Sequence, residues 1–358
     1  MKYKQLRLGD LAEFTTGKLN ANKAVEDGKY PFFTTSPETL RINNFAFDQD
    51  AILLGGNNAN GVFQLKRYTG KFNAYQRTYV ISVVKENIIN NDYLYYALMP
   101  KLVELQNKSL GTATKFITKR ILENLLIKVP NNYNEMERRA TYLRTIDNKI
   151  QLNKQLNANL DELMSEIFER YVTEANVFTT DSLSNIANYK NGLAMQRFRP
   201  NGADKGLPVL KIKELNQGFT DSSSDRCSSK ISNDVIVKTG DIIFSWSGTL
   251  IVKIWTGTTC GLNQHLFKVT SDKYPKWFIY KWTEYYLRQF QSIAAGKATT
   301  MGHIKRSDLK QAEVKIPHKS EIDRLDKLIS PIFKRYVNNI LEINSLKELK
   351  NELLSKIF

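Results

Sequence analysis

The stretch LGDLAEF at residues 8–14, followed by Gly17, decides how this chain is organised because it occurs twice. It returns as LSNIANY at residues 183–189, followed by Gly192. The apolar positions and the spacing to the glycine are kept in both copies. A repeat of this period is longer than the roughly 20–50 residues of a solenoid unit, and it fits a domain followed by a connector.

Two further pairs of stretches follow in the same order. IKVP at residues 127–130 returns as VKIP at residues 314–317, and LMSEIF at residues 163–168 returns as LLSKIF at residues 353–358. The sequence therefore predicts an internal repeat of two parts. Each copy consists of a globular part that ends at a proline and a second segment that follows it.

The composition is typical of a folded chain with two domains. Of the 358 residues, 42% are hydrophobic and 11% are aromatic, which is enough to build packed cores. The sequence has no run of about 18 apolar residues, so we expect neither a membrane-spanning helix nor a targeting segment at its start. Cys227 and Cys260 lie in the second copy, and we expect two free or buried thiols in preference to a disulfide.

Positive charge is concentrated in the two globular parts. The formal net charge is +16. Residues 1–130 contain 18 Lys and Arg against 11 Asp and Glu, and residues 176–317 contain 20 against 11, whereas the remaining segments are close to neutral. A basic excess that follows the duplication indicates a polyanion contacted by each copy, and nucleic acid is the obvious one. The alternative is a basic soluble protein without such a partner.

The globular parts are predicted to be rich in strands. Short apolar or β-branched runs favour strands at residues 51–54, 78–84, 241–244 and 248–254. The composition of residues 55–61 favours a loop. We expect one helix near the end of each globular part, around residues 92–98 and 277–282.

The segments after the two prolines are predicted to form long helices. Residues 135–171 contain no Gly or Pro, and apolar residues recur at spacings of three, four and seven, with Asn153 as a polar break. Residues 321–358 show the same pattern, and Pro331 kinks or starts that helix. A helix of about 37 residues is about 55 Å long.

Each apolar stripe needs a helical partner, and the two helices are the partners most available to each other. The alternative is that each helix packs on its own globular part. The positions expected at this helix–helix or partner interface are Ile146, Ile150, Leu156, Leu160, Leu163, Ile167, Ile329, Phe333, Tyr336, Ile340, Ile343, Leu353 and Ile357.

The sequence contains no convincing catalytic motif. It lacks a phosphate-binding G-x-x-x-x-G-K-[ST] loop, a glycine-rich nucleotide fingerprint and an [ND]-P-P-[YF] tetrapeptide. The two cysteines have no triad-like setting, and the three histidines suggest no metal cluster. We therefore expect a chain that is not an enzyme and holds no metal or cofactor of its own.

Several polar loops suit contact with DNA. GTATK at residues 111–115 and GKATT at residues 296–300 combine backbone amides, hydroxyls and a cation, which suits phosphate oxygens. Amide and cationic side chains elsewhere are able to read base edges. The candidate DNA-binding residues are Lys18, Asn57, Asn58, Asn60, Gln76, Arg77, Thr112, Thr114, Lys115, Gln196, Arg197, Arg199, Gln264, His265, Lys297, Thr299, Thr300 and Lys305.

Residues shared by the copies and residues present in only one copy are expected to act differently. Gln76 and Gln264 occupy equivalent positions in the two copies. Because they are shared, the alternative that both side chains bond neighbouring backbone inside the fold is at least as well supported as a role in binding DNA. The asparagine loop at residues 57–60 and the stretch MQRFR at residues 195–199 occur in one copy each. These copy-specific loops are therefore the better candidates for base readout, and the shared loops for phosphate contact.

Taken in this order, the repeated stretches resemble the specificity (S) subunit of type I restriction–modification systems. The resemblance covers the whole chain through LGDL at residues 8–11, the IKVP and VKIP stretches, and the helix ends at residues 163–168 and 353–358. Each stretch alone is weakly specific, and their combined order is strongly specific. The chain is on the short side for this family.

The resemblance implies an α+β fold with an internal pseudo-twofold repeat. Two strand-rich target-recognition domains, at residues 1–131 and 176–317, would be separated by conserved helical regions at residues 132–175 and 318–358, packed as an antiparallel coiled coil. It also implies recognition of a bipartite, asymmetric double-stranded DNA target.

The same resemblance implies partners and a location. Two modification (methyltransferase) subunits and restriction (endonuclease and translocase) subunits would dock on the chain. S-adenosylmethionine, ATP and Mg²⁺ would belong to those partners, in the cytoplasm of a bacterium or archaeon. The alternatives are a basic coiled-coil scaffold that binds another nucleic acid or an acidic protein, and a self-contained enzyme acting on DNA.

Overall fold

The computed structural model describes residues 2–59, 61–112, 114–174, 178–296 and 302–358. The chain divides into two compact units, the first made of Met1–Ile150 with Leu346–Phe358 and the second of Gln151–Ser345. Each unit combines strands with helices, which confirms the predicted α+β class. No helix in the described ranges has the length and apolar composition needed to cross a membrane.

The first unit is built on a six-stranded sheet in the order β2-β8-β5-β7-β3-β4, with two-stranded pairs β1-β10 and β6-β9. All its pairings are antiparallel except that of β3 with β7. The strands are β1 (Tyr3–Arg7), β2 (Ala12–Thr16), β3 (Tyr30–Phe33), β4 (Leu40–Ile42), β5 (Phe47–Gly55), β6 (Asn57–Asn58), β7 (Leu65–Ala74), β8 (Thr78–Val83), β9 (Lys115–Phe116) and β10 (Leu126–Pro130).

The helices that begin in the first unit are α1 (Leu8–Leu11), α2 (Asn91–Leu98), α3 (Lys101–Lys108), α4 (Lys119–Glu123) and α5 (Tyr133–Glu174), of which the residues from Gln151 onward belong to the second unit. Asn90 caps α2, since its side chain accepts a hydrogen bond from the backbone of Tyr93 over 2.8 Å. The apolar residues of α1, Leu8 and Leu11, are fully buried.

The continuous apolar run in β5 follows from burial on both faces of the sheet. Ile52 and Leu54 pack in the core beneath the helices. Ala51 and Leu53, which point to the opposite face, join a second cluster with Phe72. A strand covered on both sides has no solvated face, so its sequence shows no polar alternation.

The second unit contains two four-stranded sheets, β12-β19-β16-β17 and β14-β13-β18-β15, and the pair β11-β20. Its strands are β11 (Phe178–Ser182), β12 (Asn188–Asn191), β13 (Leu207–Leu210), β14 (Arg226–Cys227), β15 (Ile236–Val237), β16 (Ile242–Ser245), β17 (Val252–Ile254), β18 (Cys260–Leu262), β19 (Leu266–Thr270) and β20 (Glu313–Pro317). Its helices are α6 (Leu183–Ile186), α7 (Ile212–Gln217), α8 (Lys276–Tyr285), α9 (Leu287–Ala295), α10 (Arg306–Gln311) and α11 (Lys319–Ile357), which returns to the first unit from Leu346.

The repeated stretches make corresponding contacts in each unit. The backbone N–H of Leu8 donates to Leu125 over 2.8 Å, and that of Leu183 donates to Ala312 over 2.8 Å. The IKVP and VKIP stretches form β10 and β20, which pair with the first strand of their own unit. The repeat in the sequence therefore reflects the same closing contact between the two ends of each globular part.

The repeated glycines allow a close approach of two chain segments. A Cβ atom on Gly17 would lie 1.7 Å from the backbone oxygen of Ala74. A Cβ atom on Gly192 would lie 2.2 Å from the backbone oxygen of Asn263. Real Cβ atoms do not approach a backbone oxygen so closely, so both positions require glycine.

Several predicted elements differ from the structure. The sequence predicted one helix near the end of each globular part, but the structure has further helices there, α3, α4, α9 and α10. These helices are too short to produce a long apolar period in the sequence, so the prediction missed them. The strand predicted at residues 248–254 is confined to β17, and the loop predicted at residues 55–61 contains β6, whose asparagines pair with β9. Pro331 does not start α11, which runs through it, and the alternative that Pro331 kinks the helix stays a prediction.

Within the second unit, α5 and α11 pack against each other. Asn339 Nδ2 donates to Asn157 Oδ1 over 2.9 Å, and Asn153 Nδ2 donates to Glu342 Oε2 over 2.9 Å. The partner numbers in α11 rise as those in α5 fall, so the two helices run antiparallel here. Asn153, the polar break in the apolar pattern, is 1% exposed and lies on the packed face.

The two helices also pack on the globular part of the second unit. Met164 and Phe168 of α5 and Leu325 and Ile329 of α11 belong to the core that contains Trp282 of α8. The alternative that each helix packs on its own globular part therefore holds for Leu325 and Ile329 of α11, whereas Met164 and Phe168 of α5 pack on the second globular part and not on the one that precedes α5.

Candidate nucleic-acid interface

The first unit brings three separate polar segments together around a cavity of about 210 Å³. These segments are β6, the turn at residues 75–78 and β9. The cavity, called the first cavity below, is lined by Thr16, Gly56, Asn57, Gln76, Arg77, Tyr79, Phe116 and Ile117. Asn57, Gln76 and Arg77 were chosen from the sequence as DNA-binding candidates, and they line this one cavity.

Backbone hydrogen bonds hold the three segments in place. The N–H of Gly56 donates to the carbonyl of Arg77 over 2.7 Å, and the N–H of Ile117 donates to the carbonyl of Gly56 over 2.8 Å. The phenol of Tyr79 donates to the carbonyl of Ile117 over 2.9 Å, and burial raises the pKa of this phenol. The scaffold around the first cavity is therefore ordered by backbone contacts that leave its side chains available.

The polar side chains of the first cavity differ in what they already bond. Gln76 Nε2 donates to Asn20 Oδ1 over 2.7 Å, which favours the alternative that this glutamine serves the fold. Arg77 is exposed and forms no ion pair with another described residue. Asn57 Oδ1 is buried and has no hydrogen-bond partner within the described ranges.

The remaining candidates of the first unit lie near this cavity or apart from it. Asn58 pairs with Lys115 across β6 and β9, and Phe116 closes the GTATK hairpin by bonding Leu110. Four other candidates do not line the cavity. Lys18, Thr112 and Thr114 are exposed, and Lys115 is half-buried. Asn60 lies outside the described residues.

The equivalent place in the second unit carries different chemistry. Ser247 forms an isolated bridge with His303, as Asn57 pairs with Phe116 in the first unit. Ser247 Oγ is 2.9 Å from His265 Nδ1, and Gln264 Nε2 is 3.3 Å from His265 Nε2. Gln264 and His265 are thus engaged with each other and with the fold.

A cavity of about 410 Å³ lies elsewhere in the second unit, and we call it the second cavity. It is lined by Met195, Gln196, Arg199, Pro200, Val209, Lys211, Asp225, Arg226 and Asn263. Lys211 is ion-paired with Asp225, and this hydrogen bond lowers the pKa of the Asp225 carboxyl. Gln196 and Arg199 are exposed at its rim, as expected for the copy-specific loop.

Two further DNA candidates of the second unit, Arg197 and Lys305, line neither of the two cavities described above. Arg197 is exposed at the end of a short 3₁₀ turn, Met195–Arg197. Lys305 precedes α10, where its backbone N–H donates to Asp308 Oδ2 over 2.7 Å. Lys297, Thr299 and Thr300 lie outside the described residues.

Several residues at these places were missed from the sequence. Tyr79 and Phe116 form apolar walls of the first cavity, and Lys211 and Asp225 form a charged wall of the second. His303 was missed as well. The repeat could have predicted the position of His303, because Phe-Ile at residues 116–117 aligns with His-Ile at residues 303–304.

The predicted interface positions on α5 and α11 differ in burial. Ile146, Ile150, Ile329, Phe333, Ile343 and Ile357 are buried; Leu156, Leu160, Ile167, Tyr336, Ile340 and Leu353 are partly buried; Leu163 is 43% exposed. Leu163 therefore does not take part in the packing of the second unit, where the neighbouring Met164 is buried instead. A contact of Leu163 with a partner protein stays a prediction.

Comparison with known proteins identifies the family to which the chain is similar. Residues 1–162 and 176–354 match the family model described as the type I restriction modification DNA specificity domain. The chain is 24% identical over 393 residues to the type I restriction enzyme MjaVIII specificity subunit of Methanocaldococcus jannaschii, with coverage of 98% of this chain and 89% of that protein. It is 41% identical over 129 residues to the EcoDI specificity subunit of Escherichia coli, a match that spans 36% of this chain and 28% of that protein.

Solved structures show a similar fold. The S subunit of a type I restriction–modification system from M. genitalium superposes with a TM-score of 0.69 at 15% identity, covering 100% of this chain and 96% of that chain. The family model covers both globular parts and most of the helices that follow them. The chain therefore belongs to the family of type I restriction modification DNA specificity domains.

Proposed function

We propose that this chain is the specificity subunit of a type I restriction–modification complex and that each globular part reads one half of a bipartite, asymmetric target in duplex DNA. The observation that carries the proposal is that each unit has its own polar cavity with an exposed arginine in its lining, Arg77 in the first unit and Arg199 in the second. The amide and charged groups around the two arginines differ, so the two units would read different base sequences.

The arginines and the exposed lysines would supply phosphate contacts that position the duplex. Such contacts release counterions, so binding would weaken steeply as salt concentration rises. A basic scaffold that binds RNA or an acidic protein would also bind duplex DNA in a salt-dependent way, but it would not prefer a duplex that carries the mapped target over an unrelated duplex at the same salt concentration. Steep, target-dependent binding of duplex DNA therefore distinguishes the proposal from the scaffold alternative.

The helices would dock the modification subunits, and the restriction subunits would join that complex. Leu152, Leu163 and Leu328 in the second unit are 58%, 43% and 47% exposed on the long helices, and we propose them as part of this contact. A leucine that is exposed on a helix can bury its apolar surface against a partner protein. S-adenosylmethionine, ATP and Mg²⁺ would be bound by the partners, which would supply methyl transfer, translocation and cleavage.

Exchange of a globular part tests the assignment. The chain is co-expressed with its modification subunit, and methylated adenines are mapped across the host genome. Replacing residues 1–131 with the corresponding part of another family member is expected to change one half of the target, and replacing residues 176–317 the other half. An unchanged methylation pattern after either exchange would refute the proposal.

The docking surface has its own test. Leu163→Asp is expected to abolish co-purification with the modification subunit while the thermal unfolding of the chain stays the same. Lys154→Asp, a charge change at an exposed position of the same helix, serves as the control. Normal complex formation by the Leu163 variant would exclude this surface as the docking site.

A further inference from the structure

The side-chain oxygen of Asn57 is buried and forms no hydrogen bond within the part of the chain that the structure describes. Its backbone is fixed in β6 by pairing with Phe116 of β9. Its Oδ1 atom has no hydrogen-bond partner among the described residues, and the side chain lines the first cavity. An acceptor removed from water without a partner raises the free energy of the folded state, so a ligand that donates a hydrogen bond there would be favoured.

Thr78 Oγ1 is also buried without a hydrogen-bond partner among the described residues, but Thr78 does not line the cavity, and two other polar side chains that do line it are bonded. Gln76 is bonded to Asn20, and the Tyr79 phenol donates to Ile117. A Cβ atom on Gly56 would lie 2.9 Å from both the Arg77 carbonyl and the Tyr79 ring, so this glycine keeps the wall of the cavity close-packed. The first cavity therefore offers one unsatisfied acceptor, Asn57 Oδ1, beside one exposed cation, Arg77.

The equivalent position in the second unit is satisfied. Ser247 is 3% exposed, and its hydroxyl is bonded to His265. The unsatisfied acceptor is thus a property of the first unit and not a requirement of the shared fold. This difference is the kind expected where two duplicated domains recognise different ligands.

The chemistry of the acceptor restricts what binds there. Phosphate oxygens of DNA carry no hydrogen to donate, so they suit the Arg77 guanidinium and not the Oδ1 acceptor of Asn57. In the major groove the only hydrogen-bond donors on the bases are the N6 amine of adenine and the N4 amine of cytosine. Guanine and thymine present acceptors or a methyl group there.

We propose that Asn57 determines part of the target sequence by accepting a hydrogen bond from the exocyclic amine of an adenine or cytosine in the half-site read by the first unit, while Arg77 holds the adjacent phosphate. The proposal rests on the proposed function, since it requires that the first unit binds DNA. It adds the chemical class of base and the atom that recognises it.

Amine-free base analogues test the proposal directly. The full chain is purified in complex with its modification subunit, and the target is taken from the methylation map. Binding to duplex probes is then measured with each adenine of the first half-site replaced in turn by purine, and each cytosine by 2-pyrimidinone. Binding is the readout because methylation itself needs an adenine amine.

For the wild-type complex, removal of one amine is expected to weaken binding by roughly 5- to 100-fold. Asn57→Leu is expected to weaken binding of the natural probe to a similar degree and to abolish the difference between the natural and amine-free probes at that position. Asn57→Asp keeps an acceptor in the same shape and should retain the difference. Asn43→Leu, the same change at an exposed asparagine outside the cavity, should behave as wild type.

The outcomes separate this inference from the one on which it depends. If the wild-type complex shows no preference for its mapped target, the proposed function fails. If the wild-type complex is specific but Asn57→Leu distinguishes natural from amine-free probes at every position as wild type does, only the role of Asn57 is refuted. Loss of the difference in Asn57→Asp as well would also overturn recognition through the acceptor.

Discussion

The charge of Lys281 is predicted to be one of the main contributions to the stability of the second unit. Its side chain is 3% exposed, and its Nζ atom donates to Asp161 Oδ1 over 2.7 Å, Glu284 Oε2 over 2.7 Å and Ser165 Oγ over 3.0 Å. All three ammonium hydrogens are thus bonded. Because Asp161 and Ser165 lie on α5 and Lys281 on α8, the contact fastens the long helix to the globular part of this unit.

The size of the effect follows from the burial of the partners. Removing one member of a buried ion pair costs about 3–5 kcal/mol because the other charge is left without a partner. The side chains of Asp161 and Glu284 remain 39% and 34% exposed, so water would solvate them in part and reduce the cost. We expect Lys281→Met, which keeps the apolar stem, to lower the free energy of unfolding by about 2–3 kcal/mol.

Tryptophan fluorescence isolates this effect, because all four tryptophans of the chain lie in the second unit. A loss of this size corresponds to a midpoint lowered by about 5–10 °C for a unit of this length. The control is Arg170→Met, which removes an exposed i, i+4 pair with Glu174 on the same helix and is expected to change stability by less than about 0.5 kcal/mol. Equal midpoints for the Lys281 and Arg170 variants would refute the argument.

Three further predictions concern single positions. Gly17→Ala is expected to cost more than about 3 kcal/mol, since its Cβ atom would overlap a backbone oxygen, whereas Gly296→Ala, with 3.7 Å to its nearest neighbour, should be tolerated in a CD-monitored melt. Burial raises the pKa of the Cys227 and Cys260 thiols, so both should resist a thiol reagent at neutral pH until the protein is unfolded, and rapid labelling of the folded chain would contradict this. Burial alone would raise the pKa of the Asp50 carboxyl, but hydrogen bonds from Arg67 and Asn91 lower this pKa below its value in the unfolded chain. The ionised carboxyl therefore contributes to the free energy of unfolding above the ordinary carboxyl range, and this contribution is lost as the pH falls through the folded pKa. Asp50→Asn should make the free energy of unfolding less dependent on pH in the acid range.

The repeated stretches predicted the fold well because each one serves a local requirement that the sequence has to meet in both copies. Leu8 and Leu11 are repeated as Leu183 and Ile186 because both short helices bury those positions. Gly17 is repeated as Gly192 because no side chain fits there. The period of the apolar residues likewise predicted α5 and α11, since a helix that buries one face must repeat that face every three to four residues.

The candidate site was less accessible from the sequence. Asn57 and Arg77 were identified from the sequence as separate polar positions, and Phe116 was missed. The strands β6 and β9 are two residues long, and no local sequence pattern predicts pairing over such a distance along the chain. Composition predicted a loop around Asn57 for this reason. The roles of Lys281 and Asp161 were equally hidden, because a buried lysine in α8 has the same local pattern as an exposed one.

The sequence by itself determined the duplication, the concentration of positive charge in the two globular parts and the long helices between and after them. These properties follow from the amino-acid composition and from the spacing of apolar residues, and neither depends on contacts between distant parts of the chain. Only the tertiary structure decided which polar groups share a cavity and which are already bonded. Gln76 is bonded to Asn20, whereas Asn57 Oδ1 has no hydrogen-bond partner among the described residues. This distinction depends on atoms brought together from separate segments, and recognition by this protein is proposed to depend on it.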